Sequence, residues 1–288
     1  MSAPEGLLLV DKPSGITSHD VVDRVRRALG TRKVGHAGTL DPMATGLMLI
    51  GVGRATRLMR YLTGLDKVYE GTARLGEETD TLDADGRTVG TSEVNVTLPD
   101  LQRVLASLTG EQEQIPPAFS AIKVDGRKLY ESARRGEEVA PPPRAVFVAA
   151  FEVLSFESPD FDFRVECSSG TYVRSLVADA GSGLGCGAHL TRLVRTRVGP
   201  FELHEAVSMD AMVEPHPLAR AVEHLPRRDL DDPSASAAAS GRSLDPAGID
   251  GPYGVYGADG ALIAVYRDGE GTARPEMVLA PYEGSTVE

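Results

Sequence analysis

The sequence predicts a mixed α/β (α+β) fold with many strands, followed by a small β-containing unit at the C-terminal end. Three observations predict it. Apolar runs such as GLLLV and LMLIGV have the length of strands and end at turn-forming residues. Other segments repeat apolar residues at three- and four-residue steps, the period of a half-buried helix. Near residue 228 the composition becomes rich in Ala, Ser, Gly, Pro and Asp, which sets a boundary between a main domain, 1–228, and a smaller one, 229–288.

In chain order, GLLLVDKP is a strand ended by Pro13, which lacks the N–H that a ladder needs. Thr17 or Ser18 caps a helix with Val21, Val25 and Leu29 at four-residue steps and Gly30 as its stop. Arg24, Arg26 and Arg27 lie largely off that stripe. LMLIGV is apolar without alternation, as expected of a strand covered on both faces. RATRLMRYL forms a short helix, and Lys67–Leu75 a strand. ETDTLDADG is acidic and rich in turn formers, and is expected as an exposed loop. LPDLQRVLASLTG places Leu101, Val104, Leu105 and Leu108 at helical spacing, with Pro99 near its first turn and Gly110 beyond its end. Residues from about 115 to 143 mix prolines, a DG turn and five basic residues between Lys123 and Arg135, the marks of a projecting hairpin-and-helix insertion. FDFRVEC alternates, with Phe161, Phe163, Val165 and Cys167 on one face. SSGTYVRSLVADAG is expected as a capped helix start, HLTRLVRTRV as a strand, and GVYGADGALIAVYR as a hairpin around a DG-containing turn.

The length of 288 residues allows one large domain, alone or with a small one. GLLLV is too short for a signal peptide core or a membrane span, and Cys167 and Cys186 neither make a disulfide framework nor have metal-ligand spacing. A cytoplasmic protein with no membrane contact and no bound metal is the expectation. The net charge of −12 argues at face value against a nucleic-acid partner. The charge is uneven, however. From Lys12 to Arg60 nine Lys and Arg face three Asp, a local +6, whereas Asp229 to the C-terminus carries −8.

Within the basic part lies GHAGTLDPMATG, Gly35 to Gly46, with a single carboxylate, Asp41. A lone Asp before Pro is ordinarily a turn former or a solvent-facing charge. Here glycines at 35, 38 and 46 permit close backbone approaches, and the following apolar strand would hold the loop rigid. A rigid loop offering one acid beside a basic surface suits a carboxylate nucleophile acting on an anionic polymer.

LLLVDKPSGITSHDVV, GHAGTLDPMATGLMLIGVGRATR, DKVYEGTARLG, PPAFSAIKVDGRKLYESARRG and SSGTYVRSLVADAG, in this order, resemble the bacterial tRNA pseudouridine-55 synthase family (TruB) over roughly residues 6–228. The tail resembles that family's small PUA-like C-terminal domain only in position and size. The resemblance implies a central, largely antiparallel sheet flanked by helices. It also implies isomerisation of uridine to pseudouridine at position 55, in the T loop of tRNA, with no cofactor. GVGRAT lacks the Lys-Ser/Thr of a phosphate-binding loop, in keeping with chemistry that needs no nucleotide.

Matched position by position, the resemblance makes Asp41 the catalytic acid and Arg174 its ion-pair partner, and makes Tyr69 the ring that stacks on the target base and takes up a proton. An Asp is ionised at neutral pH and needs no activating base. Attack at C1′, addition at C6 and assistance of a glycal-like intermediate all remain compatible with these residues. Leu193 corresponds to an apolar residue lining the uracil pocket, Tyr172 to its buttress, and His36 to a residue that fills space in the reorganised T loop. Lys12 is expected near the site or near phosphate. Lys123, Arg127 and Lys128, in the basic insertion, are expected to grip the RNA backbone, which makes binding strongly salt-dependent. The expected partner is the T stem-loop of tRNA, bound by a monomer with no obligatory protein partner. Two other readings use the same basic groove: a tRNA-binding folding chaperone, and a guide-dependent synthase within a ribonucleoprotein. The short N-terminus and the absence of Lys-rich tails favour a stand-alone enzyme over the latter.

Overall fold

The computed structural model describes residues 4–117, 123–124, 127–128, 142–211 and 214–279. Strand β1 (Gly6–Lys12) leads to helix α1 (Ser18–Leu29), β2 (Val34–Ala37), β3 (Thr45–Val52), helix α2 (Met59–Thr63) and β4 (Lys67–Leu75). An excursion carries β5 (Glu77–Thr79) and β6 (Thr88–Thr91), followed by helix α3 (Leu98–Ser107) and β7 (Gly110–Gln114). The two-residue strands β8 (Lys123–Val124) and β9 (Arg127–Lys128) pair with each other. Then come β10 (Arg144–Glu157), β11 (Asp160–Cys167), helix α4 (Val173–Leu184), β12 (Ala188–Val198), β13 (Phe201–Glu202) and β14 (Val207–Ser208).

One sheet runs β14–β1–β3–β12–β4–β11–β10–β7, with β2 added to β3 and β13 to β12. Its ladders are antiparallel except for β1–β14 and the short β3–β12 junction. The expected mixed α/β architecture with a largely antiparallel sheet is therefore present.

The two kinds of strand pattern have different causes. On β1, Leu8 and Val10 join a core with Val21 and Val25 of α1, while Leu7 and Leu9 face the opposite way, towards Leu58, Leu62 and Phe201. On β3, Met48 and Ile50 oppose Leu47 and Leu49 in the same manner. Both strands are covered on both faces, which is why LMLIGV does not alternate. At the other end of the sheet, α3 and α4 cover one face only. Phe161, Phe163, Val165 and Cys167 are buried, and the outer face of β11 carries Asp160 and Asp162, bonded at 2.9 Å to Arg74 and at 2.6 Å to Thr72.

Local chemistry fixes the ends of the elements. Thr17 caps α1 in a reciprocal box with Asp20, and Gly30 ends it in the left-handed conformation. Thr97 and Asp100 form the same box at α3, with Pro99 in its first turn. The expected cap of α4 is different. Tyr172 occupies its N-cap with no side-chain cap bond, and the Gln114 side chain instead accepts from the Tyr172 N–H at 2.7 Å and donates to its carbonyl at 3.0 Å. RATRLMRYL divides into a 3₁₀ turn, Gly53–Arg57, and α2.

The small unit is a four-stranded sheet of β15 (Arg227–Asp229), β16 (Pro252–Tyr256), β17 (Leu262–Asp268) and β18 (Ala273–Val278) with helix α5 (Asp232–Ala239) against it. Its Tyr256, Leu262, Val265 and Met277 share a core with Leu7, Leu9, Leu47 and Leu49 of the large sheet. The Arg57 guanidinium donates to the Val278 carbonyl at 2.7 Å, and the Tyr61 hydroxyl to Glu276 at 2.8 Å. Among the described residues, no helix is long and apolar enough to cross a membrane.

Gly46 marks the tightest approach at the β3–β12 junction. Its φ of 100° is the left-handed side of conformational space, and a Cβ there would sit 2.5 Å from the Arg195 carbonyl oxygen. Gly46→Ala combines backbone strain with a backbone clash. It is expected to cost about 3 kcal/mol or more, read as a lowered midpoint in urea unfolding. A midpoint equal to the parent's would contradict this close approach.

Candidate active site

The residues between β2 and β3 form a loop held from every side. Asp41 opens a turn closed by the Ala44 N–H donating to the Asp41 carbonyl at 3.1 Å, with Pro42 presetting the backbone at the second position. The Lys12 ammonium, wholly buried at the end of β1, donates to the carbonyls of Ala44 at 2.6 Å, Pro42 at 3.1 Å and Pro13 at 3.1 Å. Ser18, at the start of α1, donates to the Leu40 carbonyl at 3.0 Å and accepts from the Leu40 N–H at 2.8 Å. The Gly15 N–H reaches the Pro42 carbonyl at 2.9 Å, and the Ser14 hydroxyl the Met43 carbonyl at 3.1 Å. Arg195 of β12 donates to the carbonyls of Leu47 at 2.8 Å, Gly38 at 3.3 Å and Thr39 at 3.5 Å. Few rotations are left to the backbone of Asp41.

Arg174, in the first turn of α4, points into this loop. Its Nε lies 2.9 Å from Asp41 Oδ2, and its Nη1 lies 3.2 Å from Asp83 Oδ2 and donates to the Thr81 carbonyl at 2.8 Å. Exposure decides which member of the pair meets a ligand. The Arg174 side chain is 4% exposed and that of Asp83 6%, whereas that of Asp41 is 37% exposed. The guanidinium is an internal brace between two carboxylates, and Asp41 is the group presented outward.

Asp83 corrects the expectation of an exposed acidic loop in ETDTLDADG. Thr79 and Asp83 are buried. The loop is tied to β12 by the Leu190 N–H donating to the Leu82 carbonyl at 3.1 Å and the Ala84 N–H to the Leu190 carbonyl at 2.9 Å. Leu82 has φ of 64°, unusual for a branched side chain, and this bend aims the next residue inward. The Thr81 hydroxyl and Asp85 N–H donate to Asp83 Oδ1 at 2.5 and 3.2 Å.

Burial raises the Asp41 carboxyl above the ordinary aspartate value. The Arg174 charge works against that rise, Asp83 adds to it, and Lys12 lowers it again. Burial also brings the Lys12 ammonium down to about 8, with Asp41 opposing and Arg195 reinforcing the change.

Tyr69 sits on β4 opposite Val165 of β11 and Arg195 of β12. It is buried, and burial raises its phenol above the usual value, partly offset by the charge of Arg195. Leu193, two residues before Arg195 on β12, is buried opposite Gly71. His36 is half-buried on β2, where burial lowers its imidazole and a Gly38 backbone hydrogen bond acts in the opposite direction. Tyr172 is half-buried at the start of α4. Lys12 lies beside Asp41, with its ammonium committed to carbonyls rather than presented to solvent. The side chains of Lys123, Arg127 and Lys128 lie outside the described residues.

Asp83, Arg195 and Lys67 were not singled out by sequence. Arg195 carried a signal, since it shares a strand face with buried Leu193. Lys67, buried at the start of β4, donates to the Leu65 carbonyl at 2.5 Å and the Thr63 carbonyl at 2.9 Å.

Comparison with known proteins gives a consistent assignment. The model for "TruB family pseudouridylate synthase (N terminal domain)" matches residues 26–173. Two further models, for the C-terminal domain of tRNA pseudouridylate synthase B and the C-terminal part of tRNA pseudouridine synthase II, match 174–228 and 225–280. The tRNA pseudouridine synthase B of Mycobacterium sp. (strain KMS) is 47% identical over 286 residues, covering 96% of each chain. That of Mycobacterium tuberculosis (strain ATCC 25618 / H37Rv) is 45% identical over 286 residues, again covering 96% of each. A chain in the crystal structure of a Cbf5-Nop10-Gar1 complex superposes with a TM-score of 0.75 at 28% identity, over 96% of this chain and 85% of that one. A chain in an H/ACA RNP bound to a substrate RNA containing 2'-deoxyuridine gives 0.75 at 26% identity, over 96% and 86%. With the family models covering residues 26–280 and close relatives matching almost end to end, the chain belongs to the TruB family of pseudouridylate synthases.

Proposed function

We propose that the protein isomerises uridine to pseudouridine at position 55, in the T loop of tRNA, with Asp41 as nucleophile towards a uridine turned out of its stack. The observation that carries this reading is Asp41 itself. It is a partly exposed carboxylate on a fully pinned turn, braced 2.9 Å from a buried guanidinium that a second carboxylate holds from behind. Such a group has little orientational freedom to lose on reaching a transition state. The names of the relatives, tRNA pseudouridine synthase B, support the same chemistry.

In the reaction the N1–C1′ bond breaks, the uracil turns in place, and C5 bonds to C1′. The C5 proton leaves and N1 gains one, so nothing is oxidised or reduced. Asp41 meets the ribose or base as an anion. Arg174 fixes the plane of its carboxylate. Tyr69 stacks on the extruded ring, an interaction worth about 1–3 kcal/mol against a flipping cost of a few kcal/mol. Leu193 closes the apolar side of the base, with Tyr172 behind it, and His36 occupies space in the opened loop. Lys123, Arg127 and Lys128 grip phosphates. The protein acts as a monomer in the cytoplasm without guide RNA.

An unmodified T-stem-loop transcript tests the proposal. Incubation with the protein, pseudouridine-specific derivatisation and mass spectrometry are expected to show one converted uridine, at position 55. An unconverted transcript, or conversion at another uridine, overturns it.

A further inference from the structure

Arg195 is 1% exposed and heads the largest fully buried side chains among the described residues. No carboxylate lies within ion-pair distance of it among those residues, and its hydrogen bonds go to the carbonyls of Leu47, Gly38 and Thr39. Two more buried cations are close enough to feel its charge: Lys12 and Lys67, whose ammonium groups burial brings down to about 8. Three cations under one loop are costly to desolvate, and apolar residues of similar size would generally be cheaper. A core needed only for stability has no reason to gather them.

Their bonds show what the arrangement accomplishes. The Lys12 partners Pro42 and Ala44 follow Asp41, while the Arg195 partners Gly38 and Thr39 precede it and Leu47 continues into β3. The backbone of Arg195 pairs with Gly46 on one side and with Tyr69 on the other. The close approach at Gly46 leaves no room for the strands to slide. A Cβ on Gly38 would lie 3.5 Å from Arg195 Nη1 and 3.8 Å from Lys67 Cε, so the loop rests on both cations. Arg195 is thus the residue common to the Asp41 loop and to Tyr69. Lysine could supply the charge but not the planar fork that reaches three carbonyls.

We infer that Arg195 is a positioning residue for the isomerisation, its guanidinium fork holding the Asp41 loop and its strand pairing holding Tyr69 beside that loop in one fixed relation. This rests on the function proposed above. Arg195 acts through Asp41 and Tyr69, and a merely structural arginine would alter stability without altering the state of the tyrosine or the rate of the folded protein.

The test compares Arg195→Lys and Arg195→Met with the parent. Under single-turnover conditions on the T-stem-loop transcript, Arg195→Lys is expected to slow conversion by about 30- to 100-fold, with the Kd for the transcript within about threefold. Labelling tyrosine with ¹³C at Cζ, and assigning Tyr69 by its loss in Tyr69→Phe, reads the phenol directly. In Arg195→Met that resonance is expected to titrate at higher pH than in the parent, because the cation that offsets burial is gone, whereas Arg195→Lys retains most of the offset. A rate within threefold of the parent for folded Arg195→Lys, or an unmoved Tyr69 titration in Arg195→Met, overturns the inference. Should neither variant fold, the parent decides through its Arg195 Nη resonances. Resolved, slowly exchanging signals are expected of a clamped fork, and a single averaged signal overturns it. The tyrosine and guanidinium measurements need no substrate, so they judge Arg195 even if the transcript is not converted.

Discussion

Asp41→Asn is expected to lower the single-turnover rate by about 10⁴-fold or more while tRNA affinity stays within several-fold. That loss corresponds to about 5.4 kcal/mol of transition-state stabilisation. The replacement is nearly isosteric, so the turn through Ala44 and the backbone bonds to Lys12 and Ser18 persist. What disappears is the anion. The amide can turn its oxygen towards Arg174 Nε, which keeps the brace but leaves no negative charge. Stability should move the other way. The folded state raises the Asp41 carboxyl, so it binds that proton more tightly than the unfolded chain does, and the associated stability is lost as pH rises through the folded value. At neutral pH the buried charge is therefore a cost that Asn does not carry, and the variant should melt at or slightly above the parent's temperature. In the parent, the same raised value places the acid limb of the rate profile above the ordinary aspartate value of about 3.9. Continued multiple turnover by Asp41→Asn would reject the role, and a steep fall in melting temperature would show that unfolding explains the loss.

Much of the architecture can be read from the sequence because each element has its own cause. GLLLVDKP and LMLIGV show the unbroken apolar character of strands covered on both faces, FDFRVEC the alternation of a strand covered on one, and Thr17 and Thr97 close capping boxes. What escapes the sequence depends on tertiary contacts. The 14-residue strand Arg144–Glu157 changes register twice against β11, which breaks the period that would announce it. Helix α5 lies in DDPSASAAAS, whose small residues carry too little contrast to mark a face, although Asp231 caps it through the Ser234 N–H. In the site, Asp41 stands out through its glycine-rich setting. Asp83 does not, because an acidic, turn-rich stretch looks solvated until the left-handed Leu82 turns it beneath Arg174.

Arg174→Met is expected to damage both stability and rate, and a second substitution separates the two effects. The guanidinium lies between Asp41 and Asp83, at 2.9 and 3.2 Å. Its removal leaves Asp83 buried with an unpaired charge, a change that typically costs about 3–5 kcal/mol. In a protein of this size that lowers the melting temperature by roughly 5–8 °C. Asp41 loses both its orienting contact with Arg174 Nε and the charge that held its carboxyl down, so the acid limb should move to higher pH as the rate falls by about 10²-fold or more. Adding Asp83→Asn removes the stranded charge. The double variant Arg174→Met/Asp83→Asn is expected to regain most of the lost melting temperature. Its acid limb should move back towards lower pH, since Asp83 raises the Asp41 carboxyl, while the rate stays low. Recovery of rate together with stability would mean that Arg174 serves only to neutralise Asp83. Recovery of stability alone identifies the guanidinium contact with Asp41 as its contribution to the chemistry, and the coupling between the two substitutions measures how strongly the three groups act as one unit.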